Sequence, residues 1–365
     1  MKLAGSPARA LVQLARLGAV GVAALALVAS TEEGERAGTG GRCPAGETCS
    51  DATPSGLLFE GAPLGTWPAL TAHTIAAGGR QTFRLTDPDT HLAFDLPFTA
   101  KVTNRAHAVA GQGDDLVVVG ASSAATGYLR ILDLDGLLYD RLAIDSAEVA
   151  SVRAAPAYAT AYPSFDPPRW AAFAGGQATV SLVLTDAAGQ PVVDEGLTVR
   201  SPVPSTRTAW DSFQLGFPSA GVVALAVDAG HLAGQAVTFP VVESFDELEA
   251  SAPADAGIGG TLTVCFTAWQ RGPRADTTDD DTVVIGVPRR YRVTGPATPL
   301  AEQPYGSCVE LHTDAAGTVQ VDATVGDRTW SAQVEVRGAG MREAAGWGDW
   351  LRAPSEGERA AMAHD

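Results

Sequence analysis

The stretch "GTVQVDATVG" at residues 317–326 decides the fold, because its outline occurs twice more in the chain, as "GYLRILDLDG" (127–136) and "GVVALAVDAG" (221–230). Each stretch begins and ends with Gly, and apolar residues such as Val319 and Val321 alternate with other residues in between. Alternation with a period of two predicts a β-strand with one buried face. Because a second alternating run follows each closing Gly, each stretch predicts the first strand of a hairpin.

A second shared motif, Gly-Gly-x-x-Thr-apolar, precedes each of these stretches, at residues 78–83, 175–180 and 259–264. Successive Gly-to-Gly stretches start 94 and 96 residues apart, which indicates a duplicated unit. Each copy has room for about seven short strands and shows no helical periodicity. The sequence therefore predicts an all-β protein of three tandem antiparallel β-sandwiches.

The second copy carries a family resemblance. Its segments "GGQATVSLVLTDAAGQPV" (175–192) and "AGVVALAVDAGHLAGQAVTFPVV" (220–242) resemble the bacterial immunoglobulin-like (Big/invasin-like) domains that occur in tandem on exported proteins. The resemblance covers roughly residues 66–338. It implies adhesion, display or spacing at the cell surface or in the periplasm, and it provides no catalytic residues.

Composition and the repeats together predict the domain boundaries. Pro-rich residues 154–168 and the segment 241–257 are interpreted as linkers, and residues 31–65 as flexible except at their two cysteines. The predicted parts are a signal peptide (1–30), an N-terminal segment (31–65), immunoglobulin-like domains at 66–155, 156–243 and 244–338, and a C-terminal tail (339–365).

The N-terminus predicts export. Lys2, Arg9 and Arg16 precede an apolar run that ends at Val28-Ala29-Ser30, as in a secretory signal. The alternative is an uncleaved anchor, but a run of about 13 residues is shorter than the roughly 20 that span a bilayer. Thr31 stands where a lipoprotein would carry Cys, which favours a non-lipidated protein. We therefore expect a soluble extracytoplasmic protein without a stable transmembrane anchor.

The net charge of −17 argues against nucleic acid and anionic membranes as partners, and no basic stripe is visible in the sequence. The expected partner is a protein or a glycan. The sequence does not indicate its identity, and it does not indicate an oligomeric state.

Four cysteines in an exported chain predict disulfides. Cys43 and Cys49 could close a small loop, although a redox or metal role for this pair is the alternative. Cys265 and Cys308 both fall on the outward parity of their strands, so we expect a bond between neighbouring strands on the outer face of one sheet. Such a bond differs from a disulfide through the core.

The acidic segment "ADTTDDDT" (275–282) is the one charged constellation. Asp276, Asp279, Asp280 and Asp281 could bind Ca²⁺, which prefers several oxygen ligands. The alternative is a solvated acidic loop without a cofactor. The pairs Asp87/Asp89 and Asp133/Asp135 are interpreted as turns in which Asp accepts backbone amides.

Signals for catalysis are absent from the sequence. The six histidines form no metal motif and are expected on the surface or in turns, and the serines of residues 120–127 lack a nucleophile-elbow pattern. We therefore expect a non-catalytic binding, adhesion or spacer module.

Alternative functions remain open at this level. One is a carbohydrate-binding or enzyme-associated module, which would need an aromatic platform such as Tyr158, Tyr162, Phe165 and Trp170, although these more simply pack a domain junction. Another is a mechanical stalk. Trp347 and Trp350 in the tail could serve as a docking peptide or cover a sheet edge.

Overall fold

The computed structural model describes residues 35–37, 43–53, 55–61, 63–64, 67–71, 74–157, 169–272, 281–301 and 306–338. In these residues every regular element is a β-strand, which confirms the all-β prediction. The chain forms two compact units, unit 1 (residues 1–243) and unit 2 (residues 244–365). The predicted signal peptide and C-terminal tail lie outside the described residues. No helix of the described part is long and apolar enough to cross a membrane.

The strands fall into three consecutive sets. The first set contains β1 (Glu35–Ala37), β2 (Leu58–Glu60), β3 (Pro63–Leu64), β4 (Trp67–Thr71), β5 (Thr74–Ala76), β6 (Arg80–Thr86), β7 (Thr99–Val102), β8 (His107–Gln112), β9 (Leu116–Ala121), β10 (Ala125–Leu132) and β11 (Leu138–Ala147). The second contains β12 (Ser151–Pro156), β13 (Trp170–Phe173), β14 (Gly176–Thr185), β15 (Thr198–Arg200), β16 (Ser205–Arg207), β17 (Ser212–Phe217), β18 (Gly221–Ala229) and β19 (Leu232–Val242). The third contains β20 (Glu247–Ser251), β21 (Asp255–Gly257), β22 (Thr261–Gln270), β23 (Thr282–Ile285), β24 (Arg290–Thr294), β25 (Ala297–Pro299), β26 (Cys308–Thr313), β27 (Gly317–Val325) and β28 (Arg328–Arg337).

The same pairing scheme occurs in all three sets. One sheet has the order β2-β6-β9-β8, β12-β14-β17-β16 or β20-β22-β26-β25. The other has the order β5-β11-β10-β7, β13-β19-β18-β15 or β21-β28-β27-β24. In each set the early strands divide between the sheets, so that β5, β13 and β21 run parallel to the last strand of their own set. This architecture resembles tandem immunoglobulin-like domains.

The repeated motifs form the strands that were predicted from them. The Gly-to-Gly stretches form β10, β18 and β27, and each pairs as an antiparallel hairpin with the strand that follows it. Val319, Val321 and Ala323 of β27 are completely buried, as alternation predicts. The Gly-Gly-x-x-Thr motifs lead into β6, β14 and β22, whose inward residues include the buried Phe83 and Phe266.

Apolar side chains of the two sheets form the core of the first set. The cluster contains Phe59, Phe83, Val119, Ile131, Ile144 and ten further buried residues. Phe94, in the loop between β6 and β7, closes one end of this core against Tyr139 with ring centroids 5.3 Å apart. The rigid core holds the loops at both ends of the sandwich in place.

Both predicted linkers contain strands. Residues 151–156 form β12, which pairs with β14, so the predicted boundary at 155/156 falls inside a strand of the second set. Pro156 is compatible with this because β12 is an edge strand, where a missing amide hydrogen is tolerated. Residues 241–257 contain the end of β19 and all of β20 and β21, because buried Leu248 anchors this acidic stretch to β22.

The aromatic cluster predicted at this first linker is only partly described. Trp170 begins β13 and stacks on Phe239 of its own set with ring centroids 4.8 Å apart. It therefore belongs to a sandwich and not to a linker. Tyr158, Tyr162 and Phe165 lie outside the described residues.

Several described residues of the segment 31–65, which the sequence predicts to be flexible, contact the first set. Leu138 donates its amide to the carbonyl of Thr48 at 2.9 Å, and Ser50 donates its amide to the carbonyl of Leu138 at 2.9 Å. Further along, β2 pairs with β6, and Phe59 of β2 is completely buried. Backbone pairing and one large aromatic side chain hold this segment to the first set.

Candidate functional site

Two glycines of the repeated motifs bring the first and second sets into direct backbone contact within unit 1. Gly78 lies between β5 and β6 with a φ of 84°, and Gly230 lies in the turn between β18 and β19 with a φ of 55°. A Cβ atom on Gly78 would lie 2.4 Å from Cδ2 of His231, and one on Gly230 would lie 2.3 Å from the carbonyl oxygen of Ala77. Neither position has room for a side chain, and both adopt a backbone conformation that favours glycine. We call this region the junction.

Backbone hydrogen bonds cross the junction between the two sets. They join the Val193 amide to Thr74, the Ala76 amide to Val193, the Glu195 amide to Arg80 and the His231 amide to Ala77, at 2.8, 2.8, 2.9 and 2.9 Å. Because several of these hydrogen bonds must break together, the junction resists bending between the two sets more than a flexible linker would.

A buried carboxylate fixes the junction from inside. Asp194 is 4% exposed. Its Oδ1 atom accepts the Gly196 amide at 2.8 Å and the Arg80 amide at 3.3 Å, and its Oδ2 atom accepts the Gly230 amide at 2.7 Å. Beside it, the Thr82 hydroxyl donates to the Glu195 carboxylate. Asp194 therefore holds three segments of backbone from both sets with one side chain.

Two adjoining grooves flank the junction. One of about 540 Å³ is lined by residues that include Arg105, His107 and His231, and one of about 560 Å³ by residues that include Asp194 and Asp228. Glycines form much of both walls, and no aromatic side chain other than the two histidines lines either groove among the described residues. The grooves thus present backbone groups and charged side chains to a ligand, but no aromatic platform on which a sugar ring could stack.

His107 contradicts the expectation that the histidines lie on the surface. It is 3% exposed and belongs to the inward parity of β8. Its Nδ1 atom lies 2.9 Å from Oδ1 of Asn104, and in the described residues its Nε2 atom has no hydrogen-bond partner. Burial lowers the pKa of His107, and the Asp145 carboxylate opposes that shift. The sequence contained a signal for this burial, because His107 shares the parity of the apolar Val109.

The structure pairs Cys265 with Cys308 and Cys43 with Cys49. Cys265 and Cys308 lie directly opposite each other on β22 and β26, on the outward parity of both strands. Cys265 is nevertheless only 4% exposed, because β20 and β26 flank it on both sides. The bond therefore joins neighbouring strands of one sheet and does not cross the core.

The predicted calcium loop lies mostly outside the described residues, as do Asp276, Asp279 and Asp280. Asp281 is 5% exposed, forms an ion pair with Arg271 and accepts the Gly272 amide at 2.9 Å. These contacts occupy both of its oxygens. In the described part no group of three or more His, Cys, Asp or Glu side chains is placed to hold a metal. Calcium binding by residues 276–281 stays a prediction.

The Asp-containing turns form as predicted. Asp87 accepts the amides of Asp89 and Thr90 at 2.9 and 2.8 Å. Asp133 accepts the amides of Asp135 and Leu137 at 3.0 and 2.8 Å. The Thr90 amide is the main cause that lowers the pKa of Asp87. These carboxylates stabilise their own turns.

Neither protein-family models nor curated proteins match the chain. Solved structures do match the chain. FdeC, an Escherichia coli adhesin, is 15% identical over 73% of this chain and 95% of its own, with a TM-score of 0.21. Domains 4–9 of the surface layer protein SbsC are 14% identical over 73% of this chain and 46% of their own, with a TM-score of 0.26. Invasin, a bacterial integrin-binding protein, is 12% identical over 73% of this chain and 59% of its own, with a TM-score of 0.22.

The structural neighbours are thus bacterial adhesins and surface-layer proteins at low sequence identity. They show what the chain resembles. At these TM-scores they carry no functional argument, so the function has to be inferred from this chain's own residues.

Proposed function

We propose that each strand set is one immunoglobulin-like domain and that the chain is an exported, non-catalytic module of three such domains that binds or spaces at the cell surface. The observation that carries the proposal is the junction of the first two sets, where Asp194 and four backbone hydrogen bonds join two sandwiches. A spacer needs its domains held at a fixed angle, and backbone contact supplies this without a flexible linker.

The disulfides support an extracytoplasmic location. Both pairs are bonded, and the described residues contain no free cysteine. Disulfides persist in oxidising compartments and are rare in the cytosol. The predicted signal peptide at residues 1–30 agrees with this location.

Hydrogen exchange of the full chain tests the spacer role. We expect the amides of Val193 and His231, which donate to Thr74 and Ala77 of the first set, to exchange as slowly as central amides of β14 and β18, because they open only when the two sets separate. Fast exchange at these two amides beside protected strands would show that the junction opens freely, which contradicts the proposal.

Cell fractionation and N-terminal sequencing test export. The expected product is an oxidised protein in the extracytoplasmic fraction that begins at Thr31. A reduced protein that retains residues 1–30 in the cytoplasm would contradict export and leave the hydrogen-exchange result unaffected.

A further inference from the structure

Three cations lie side by side on the outer face of the first set. Lys101 of β7 is directly opposite Arg130 of β10, and Arg130 is directly opposite Arg141 of β11. The neighbouring inward residues of β10 and β11 at this level, Leu129 and Leu142, are buried, so the three cations share the solvent side of the sheet. We call Lys101, Arg130 and Arg141 the cation row.

The like charges of the cation row destabilise the fold unless other groups compensate them. Neighbouring strands are about 4.8 Å apart, and like charges directly opposite each other are destabilising. The chain is acidic overall, with 42 acidic and 25 basic residues, so a run of three cations does not follow from composition.

One of the three charges has a carboxylate partner. Arg130 pairs with Glu47 of the loop that is closed by Cys43 and Cys49. The Arg141 guanidinium lies 4.5 Å from the ring centroid of Tyr128. Lys101 is exposed, and no ion pair to it is found in the described part of the chain. Among the described residues, Lys101 and Arg141 therefore form no ion pair with an acidic side chain.

The fold does not require this arrangement, because corresponding rows of the other two sets lack it. Arg130 is the fourth residue of its Gly-to-Gly stretch, and the fourth residue of the second stretch is Ala224, which lies opposite Thr238. In the third set the corresponding row consists of Thr294, Gln320 and Gln333. Neither row contains a cation.

The surroundings of the cation row suit a chain of sugars. Tyr128 is 40% exposed and lies two residues from Arg130 on the same face of β10. Its ring presents an apolar body and a polar tip, which matches the mixed character of a sugar ring. The small and exposed Ala143 lies directly opposite Tyr128.

The ion pair between Glu47 and Arg130 shows that the cation row binds carboxylates. We propose that the outer face of β7, β10 and β11 binds an acidic polysaccharide, with sugar carboxylates on Lys101, Arg130 and Arg141 and a sugar ring against Tyr128. A polysaccharide of uronate units carries carboxylates at regular intervals, and the cation row likewise carries positive charges at regular intervals. A protein partner is disfavoured because stable protein interfaces have an apolar core, and the small outer residues Thr126 and Ala143 do not supply one.

The inference rests on the proposed extracytoplasmic function, because such polymers lie outside the cytoplasm. The test uses the oxidised full chain and polygalacturonate, with methyl-esterified polygalacturonate as the uncharged counterpart. We expect binding to the acid form that weakens as salt rises. The Lys101→Ala/Arg141→Ala variant should bind at least about tenfold more weakly, and Tyr128→Ala should also bind more weakly.

Arg84→Ala is the matched control, because Arg84 is an exposed arginine on the other sheet of the same set and pairs with Asp115. It should bind as the wild type does. Glu47→Gln, which frees Arg130, should bind several-fold more tightly. Because Lys101 and Arg141 are not buried, melting curves should show that the double variant folds.

Three results of the comparisons would overturn the inference, and a fourth is the failure of the wild type to bind. They are equal binding of the esterified polymer, an equal loss in Arg84→Ala, and binding of poly-glutamate as tight as that of polygalacturonate, which would identify an acidic peptide as the ligand. Absence of wild-type binding at low salt would also overturn it. Slow exchange at the junction would still support the spacer role, so the two failures are distinguishable.

Discussion

The same motif glycine has different surroundings in the two units. Gly230 in unit 1 and Gly326 in unit 2 both end a Gly-to-Gly stretch, with φ values of 55° and 60°. A Cβ on Gly230 would lie 2.3 Å from a backbone oxygen, whereas a Cβ on Gly326 would meet nothing within 4 Å. One repeated residue thus forms a turn in both units, and in unit 1 it also allows two sets to touch. Unit 2 instead joins two of its own strands with a disulfide.

Removing that disulfide should have the largest effect. In a Cys265→Ala/Cys308→Ala variant, unit 2 should lose about 4 kcal/mol of unfolding free energy, because the unfolded chain regains the freedom of a long loop. Calorimetry of the full chain should show this as a lower transition temperature for unit 2. An unchanged transition temperature in the double variant would contradict the prediction.

Gly230→Ala should be the next most damaging change. The added methyl group meets the Ala77 carbonyl and the residue keeps an unfavourable φ, so we expect a loss of about 3 kcal/mol in unit 1. Gly326→Ala, which has only the unfavourable φ, should cost about 1 kcal/mol in unit 2. Equal losses in chemical denaturation would mean that Gly230 is needed for its turn alone.

Asp194→Ala should destabilise unit 1 by about 2 kcal/mol, since it leaves backbone amides at the junction without an acceptor. The control is Asp186→Ala, because in the described residues the Asp186 carboxylate accepts only the Ala188 and Gln190 amides of its own exposed turn. That change should cost about 1 kcal/mol. Faster exchange of the His231 amide, which donates to Ala77 of the first set, in the Asp194 variant alone would locate the effect at the junction.

Acidification should weaken unit 1 by a smaller amount. Burial lowers the pKa of His107 in the folded state, so the unfolded state binds the proton more readily. The stabilisation is complete above the unfolded pKa of about 6.5 and is lost as the pH falls from there through the folded pKa. The melting temperature of unit 1 should therefore fall less between about pH 7 and pH 5 in His107→Asn than in the wild type. The same change in exposed His91→Asn would contradict this assignment.

Alternation made the strands of the repeated motifs predictable. Val319 and Val321 were assigned to one buried face from a period of two, and both are completely buried. The cysteine pair was predictable for the same reason, because parity places Cys265 and Cys308 on one face. Local pattern therefore specifies which side of a strand faces the core.

Pattern does not specify which strands become neighbours, and the junction and the cation row both depend on that. Asp194 reaches Arg80 across 114 residues of sequence. Arg130 and Arg141 lie on the two strands of one predicted hairpin, but Lys101 joins them only through the pairing of β7 with β10, so the sequence shows no basic stripe although the sheet register creates one. Strands occur in the described parts of both predicted linkers because Pro and acidic residues are also compatible with edge strands, as β12 and β20 show.

The parallel pairing of β5 with β11, β13 with β19 and β21 with β28 has a mechanical consequence. In each set it places an early strand alongside the last strand, so tension between the two ends of the set acts along these strands. Their hydrogen bonds are then loaded in shear and must break together, whereas a hairpin pulled open at one end unzips bond by bond. A protein with this layout resists stretching at the places where force enters and leaves each sandwich.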